Sequence, residues 1–178
     1  MKKLLITLLT LLFATVAFAD VLTTSTTSDF TANVVKEVRL AMPANCSAFN
    51  GEVVLSNCTL VSITEEYPTK DISTNGNKFI VYGLNADVMT GENLIINVLV
   101  ANNQEATVGI IDPIGATPDA QEITVDVFNF TMRSIQDIDG DGDLDTDDVV
   151  ALIALVYSGD ATVVDLQAII NAVITEIP

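Results

Sequence analysis

Apolar side chains change their period part-way along this chain. Between residues 35 and 130 they come in short runs, several of which alternate with polar residues, as Val38, Leu40 and Met42 do and as Ile123, Val125 and Val127 do. Period-two alternation is the signature of a half-buried strand. Seven strands are predicted on this basis: Val35 to Met42, Glu52 to Leu55, Thr59 to Thr64, Lys78 to Leu84, Asn93 to Ala101, Thr107 to Ile111 and Glu122 to Phe130. Turn signals punctuate them at Asn50-Gly51, Asn75-Gly76, Thr90-Gly91, Asn102-Asn103 and Asp112-Pro113. Many short strands at such spacing predict a β-sandwich, of jelly-roll or related topology. Beyond about residue 132 the period changes to three and four, through Val149, Val150, Leu152, Ile153, Leu155 and Val156 and again through Leu166, Ile169, Ile170 and Val173. Two amphipathic helices are predicted there. The expected fold is mainly β: a sandwich domain over residues 20–132, then a small α-helical module over 133–178. Residues 21–32, rich in Thr and Ser, read as a linker, a mobile leader or an edge strand.

Between the last predicted strand and the first predicted helix lies Asp137-Ile-Asp139-Gly-Asp141-Gly-Asp143-Leu-Asp145-Thr-Asp147-Asp148. It fits a twelve-residue EF-hand-type calcium loop almost position by position. Calcium is a hard cation that takes 6 to 8 oxygen ligands. Asp137, Asp139 and Asp141 would supply carboxylates from positions 1, 3 and 5, Asp143 its backbone carbonyl from position 7, Asp145 a contact through water from position 9, and Asp148 the closing carboxylate from position 12. Gly142 stands where the sharp turn needs a left-handed backbone, which a Cβ would disfavour. Leu144 is expected to point into the core of the module. Magnesium fits less well, because it demands a tighter octahedron and keeps its waters. Without a cation so many carboxylates repel one another.

The segment from Asp143 to Val156 aligns with Asp160 to Val173 after a shift of seventeen, so the helix recurs while the ligands do not. One calcium site is therefore expected. Thr162 with Asp165 three residues on reads as a capping box for the second helix; two unrelated helices in a hairpin would leave the first site unchanged.

The chain opens with Lys2 and Lys3, runs apolar from Leu4 to Val16 and reaches Ala17-Phe18-Ala19, the pattern of a secretory signal peptide cleaved after Ala19. A membrane span needs about 20 apolar residues, and Thr7, Thr10 and Thr15 interrupt this shorter run. The mature protein is expected outside the cell or at its surface, with no membrane attachment. Of the 7 basic residues the leader removes two, leaving 5 against 24 acidic ones, a net charge of −19. Such a field argues against nucleic acid and anionic membranes as partners. In an oxidising compartment Cys46 and Cys58 are expected to pair, which would contribute about 2–3 kcal/mol. Asn45, Asn57 and Asn129 open Asn-x-Ser/Thr sequons that read as chance occurrences beside a bacterial-type leader.

The calcium loop with Asp rather than Glu at position 12, followed by an apolar helix and a second, related helix, resembles a type I dockerin domain over residues 137 to about 175. The resemblance implies binding to a cohesin domain, with the two residues before the last ligand, Thr146 and Asp147, and their counterparts Val163 and Val164 in recognition. The truncated second repeat departs from the two complete loops of that family. Phe79 to Val100, an apolar strand, a turn with Gly91 and a second long strand, looks like the centre of a cohesin-like or carbohydrate-binding-module-like sandwich.

With no His, no nucleophile elbow and no phosphate-binding glycine loop, no catalytic residue is expected. The expected role is that of a secreted calcium-binding adaptor attached to a cohesin-like domain, on another copy or on a scaffold. Polysaccharide binding by a sandwich displayed through its dockerin is the alternative, and a dockerin-like end clasping its own sandwich is a third arrangement.

Overall fold

The computed structural model describes residues 21–176, so the expected signal peptide lies outside the described residues. In chain order the elements are β1 Asp29–Phe30, β2 Val35–Leu40, β3 Ala48–Ser56, β4 Thr59–Glu65, β5 Asp71–Asn75, β6 Lys78–Tyr82, β7 Leu94–Leu99, β8 Ala106–Ala116, β9 Glu122–Thr124 and β10 Phe128–Ser134. Two helices follow, α1 Thr146–Ser158 and α2 Val163–Glu176. The strands form two sheets, one of seven strands ordered β1-β10-β8-β3-β6-β5 with β9 also on β8, the other ordered β2-β7-β4. All pairs are antiparallel except β1 with β10.

Alternation decides which side of each strand meets the other sheet. Val38 and Leu40 of β2, Ile96 and Val98 of β7, Phe49 and Val53 of β3 and Val108 and Ile110 of β8 are all buried in one core between the sheets. Burying each such side chain stabilises the fold by about 1.5–3 kcal/mol. Gly51 lets the sheet close here, since a Cβ on it would sit 2.6 Å from Ile110 Cγ2.

Several expectations are corrected. Asp112-Pro113 is not a turn between strands but an irregularity inside the eleven-residue β8, opposite Gly51 of β3. Pro113 has no N–H to give the ladder, and Asp112 takes a left-handed φ of 49°. On the far side of β8 the single strand expected over Glu122 to Phe130 is split: β9 pairs with Ile114 to Ala116 and β10 with Ala106 to Ile110. β5 was not expected, β1 is a short edge strand within residues 21–32, where an edge strand was one of the expectations, and β10 runs on to Ser134.

Residues 21–28 are an edge strap. Thr23 bridges to Ala41, Thr24 Oγ1 donates to the Arg39 carbonyl at 2.6 Å, Arg39 N–H donates to Thr26 Oγ1 at 3.0 Å, and Leu22 is buried.

The expected Cys46–Cys58 disulfide is absent. The two cysteines flank the nine-residue β3, which at about 3.3 Å per residue separates its ends by roughly 30 Å, whereas a disulfide needs Cα atoms about 4.4–6.8 Å apart. Cys46 Sγ donates instead to the Ala48 carbonyl and Cys58 Sγ to that of Thr107.

Candidate functional site

The acidic loop begins three residues after β10 ends, and hydrogen bonds between its own carboxylates and amides give it shape. Asp137 accepts from Gly140 N–H at 2.7 Å through Oδ1 and from Gly142 N–H at 3.2 Å through Oδ2. Asp139 accepts from Asp141 N–H and Asp141 from Asp143 N–H, each at 3.2 Å. Gly140 and Gly142 carry φ of 81° and 101°, so the glycine expected to turn the backbone does so.

These turns bring Asp137, Asp139 and Asp141 together, with one oxygen from each lying within 4.8 Å of the others. Two oxygens sharing one cation at about 2.3–2.6 Å can stand at most about 5 Å apart. The trio fits one hard cation.

Asp148 stands outside the trio. It is buried, and its Oδ1 accepts from Ile138 N–H at 2.6 Å and Asp139 N–H at 3.3 Å, its Oδ2 from Asp145 N–H at 2.9 Å. It therefore ties the first turn of α1 to the start of the loop. Asp145 is the N-cap of α1, accepting from Asp147 N–H at 2.6 Å and closing a capping box with Asp148. Asp143 is exposed, and the repulsion of Asp141, then desolvation and the charges of Asp145, Asp148 and Asp139, push its carboxyl above the usual range. At Asp139 the Asp141 backbone N–H favours the charged form, but desolvation and the charges of Asp141, Asp148 and Asp137 outweigh it and the carboxyl is also raised. A cation would relieve that repulsion.

The helices close over a second, smaller core. Leu144 from the loop, Leu152 from α1 and Ile169 and Val173 from α2 are buried together, with Ile138 and Val149 packed against them. α1 ends at Gly159, φ 85°, whose N–H returns to the helix. α2 opens on the expected box: Thr162 donates through N–H and Oγ1 to Asp165 Oδ2 at 2.8 and 2.6 Å. Those bonds hold the Asp165 carboxyl below the usual range.

Thr146, Asp147, Val163 and Val164 are all exposed, Val163 and Val164 at 69% and 78%. Thr146, Val150, Ile153 and Tyr157 recur at intervals of four, three and four along α1, and all four are exposed, so one stripe of that helix faces outward. A second exposed apolar surface lies on the outer face of the large sheet. There Ile80 and Ile114 stand in one register row on either side of Asn50. Among the described residues Tyr82 is the one aromatic side chain exposed on the sandwich.

Sequence reasoning missed the sandwich residues that hold the loop. Glu105 N–H donates to the Gly142 carbonyl at 2.9 Å, and the Glu105 carboxylate pairs with Arg133 at 3.4 Å. Glu105 lies far from the loop in the chain, and a backbone contact leaves no signal in residue type.

The sequence matches no family model and no curated protein. The structure is similar to the cohesin module of a family 33 glycoside hydrolase from Clostridium perfringens, with TM-score 0.55 and 9% identity over 65% of this chain and 96% of that one. It is similar, too, to a chain of a type I cohesin–dockerin complex from Clostridium thermocellum, with TM-score 0.50 and 8% identity over 66% of this chain and 96% of that one. The likeness is one of fold: the β-sandwich is cohesin-like.

Proposed function

We propose that this chain is a secreted, non-catalytic adaptor whose calcium-bound helical module docks on a cohesin-like sandwich of another polypeptide. The observation that carries the reading is the presence, in one chain, of a cohesin-like sandwich and an Asp-rich loop that leads into a helix pair with an outward apolar stripe. Asp137, Asp139 and Asp141 would hold calcium with the Asp143 carbonyl, and Asp145 would reach it through water. Asp148, placed as the twelfth-position ligand, would either turn one oxygen to the cation or keep the loop closed around it. Dehydrating a hard cation requires several anionic oxygens at once, and this loop supplies them on consecutive turns. Thr146 and Asp147, at the start of the α1 stripe, and Val163 and Val164, at the start of α2, would meet the partner. The sandwich would offer the complementary socket on its large sheet, around Ile80 and Ile114. Sugar binding has less support, because Tyr67 is buried and the sandwich exposes no aromatic platform beyond Tyr82 among the described residues.

The test is the solution mass of residues 20–178, measured by light scattering with millimolar calcium and with chelator. A calcium-dependent rise above the monomer mass, absent from the Asp137→Ala/Asp141→Ala variant, is expected if the partner is a second copy. A monomer in both conditions rules out a second copy and leaves a different chain, or a clasp on this chain's own sandwich, as the partner. A helical signal indifferent to calcium in the wild type would sink the reading.

A further inference from the structure

We infer that the turn between β7 and β8, residues 100–105, is a brace that holds the loop ready for its cation, so that cation binding and sandwich stability are linked. The inference rests on the calcium reading above and concerns residues outside the loop. Two clamps join turn and loop. At the first, buried Ser134 donates from Oγ to Asn103 Oδ1 at 2.9 Å, accepts Gln136 N–H on the same Oγ at 3.1 Å, and accepts Asp137 N–H on its carbonyl at 3.2 Å. That fixes the backbone at the first ligand. At the second, Glu105 N–H donates to the Gly142 carbonyl at 2.9 Å, while Glu105 is itself held by Asn57 Nδ2, which donates to its carbonyl at 2.8 Å.

The second clamp acts on one peptide plane. Its carbonyl belongs to Gly142 and is held by Glu105; its N–H belongs to Asp143 and donates to Asp141 Oδ1. With both ends held, the plane cannot flip, and the chain leaves it in a fixed direction toward the Asp143 carbonyl, the expected seventh-position ligand. A loop already in its bound shape spends less of its binding free energy on ordering. Linkage makes the effect reciprocal, so a bound cation stabilises the brace as much as the brace favours the cation. Glu105 is thus a positioning residue that acts through its backbone, and a single loop can serve where the second repeat has lost its ligands.

The experiment uses the whole of residues 20–178. Hydrogen exchange at the Glu105 amide is followed with calcium and with chelator, and calcium affinity is measured by calorimetry for the wild type and three variants. Glu105→Pro removes the donor and is expected to weaken calcium binding about 3- to 10-fold. Asn57→Gly keeps the left-handed backbone at that position, φ 55°, removes the support on Glu105 and is expected to weaken binding in the same direction by less. Glu105→Ala keeps the N–H and loses only an exposed ion pair, so its affinity is expected to stay within about twofold. In the wild type, calcium is expected to slow exchange at the Glu105 amide. Calcium binding by the wild type with unchanged Glu105 exchange would overturn the brace and leave the calcium reading intact. No calcium binding by the wild type would overturn both. If Glu105→Pro does not fold, the exchange result and Asn57→Gly decide.

Discussion

Between the two sheets Phe49, Leu40, Ile96, Ile110 and Met132 are each almost wholly withdrawn from solvent, in a core that draws on both sheets. The apolar side chains that the helical module buries, among its described residues, are Leu144, Leu152, Ile169 and Val173 alone. The outer faces do not differ in this way, since Val150, Tyr157, Val163, Val164 and Ile174 are exposed on the helices and Val61, Leu84, Ile114 and Val127 on the sandwich; the contrast lies in the cores. A sandwich of this kind can hold itself by apolar burial. A module of this size with so small a core needs further support. The acidic loop supplies part of it by tying α1 back to the end of β10, and a cation there would convert repulsion into attraction. One region is held by what it hides; on the calcium proposal the other would be held by what it binds.

The largest effect is expected in the sandwich. Phe49→Ala removes a ring that lies 5.9 Å from Phe79 and should cost about 3–5 kcal/mol, read by urea unfolding of the strand signal. A cost below about 1 kcal/mol would break the comparison, because the large core would then not be what holds the sheets. Next comes Leu152→Ala, expected to cost about 2–5 kcal/mol but only in the helices. Their circular-dichroism signal should be lost in chelator and return at a raised calcium concentration, while the sandwich transition shifts by no more than the 3- to 10-fold coupling through the Glu105 brace, about 1.4 kcal/mol at most. Equal loss in both regions would mean that the two cores unfold as one.

The smallest effect concerns the second helix. Thr162 lowers the Asp165 carboxyl, so the charged form lends stability that is fully present above the ordinary carboxylate value and is lost as pH falls through the lowered one. The difference in helix melting temperature between wild type and Asp165→Ala should therefore be present at neutral pH and vanish in acid. A difference that persists in acid would show that Asp165 acts by packing.

Legibility in the sequence followed the same division. β2, β4, β6 and β7 could be read within two or three residues of their ends: β2 alternates through Val38 and Leu40, and the others are short β-branched and apolar runs bounded by turn signals such as Asn75-Gly76 and Thr90-Gly91. β5, with the sequence Asp-Ile-Ser-Thr-Asn, could not, since Ile72 is its one apolar side chain and its pairing with β6 makes it a strand. The irregularity at Asp112-Pro113 looks the same locally as a turn; only β3 running past it distinguishes the two. For the loop, Gly142, Leu144 and the Thr162–Asp165 box were legible because each rests on a local rule. The bracing by Glu105 and the separation of the cysteines were not, because both depend on which distant segments the sheets bring together.

The parallel pairing of β1 with β10 has a mechanical consequence. The described chain enters the large sheet through β1 and leaves it through β10, and the two run side by side in the same direction. A pull between the N-terminal strap and the helices drags these neighbours past each other lengthwise. The bonds from Arg133 N–H to the Ser28 carbonyl and from Ile135 N–H to the Phe30 carbonyl, both 3.0 Å, then share the load in shear instead of opening one at a time like a zip. Phe30, buried beneath them, has to be dragged out of the core before the sheet can give way.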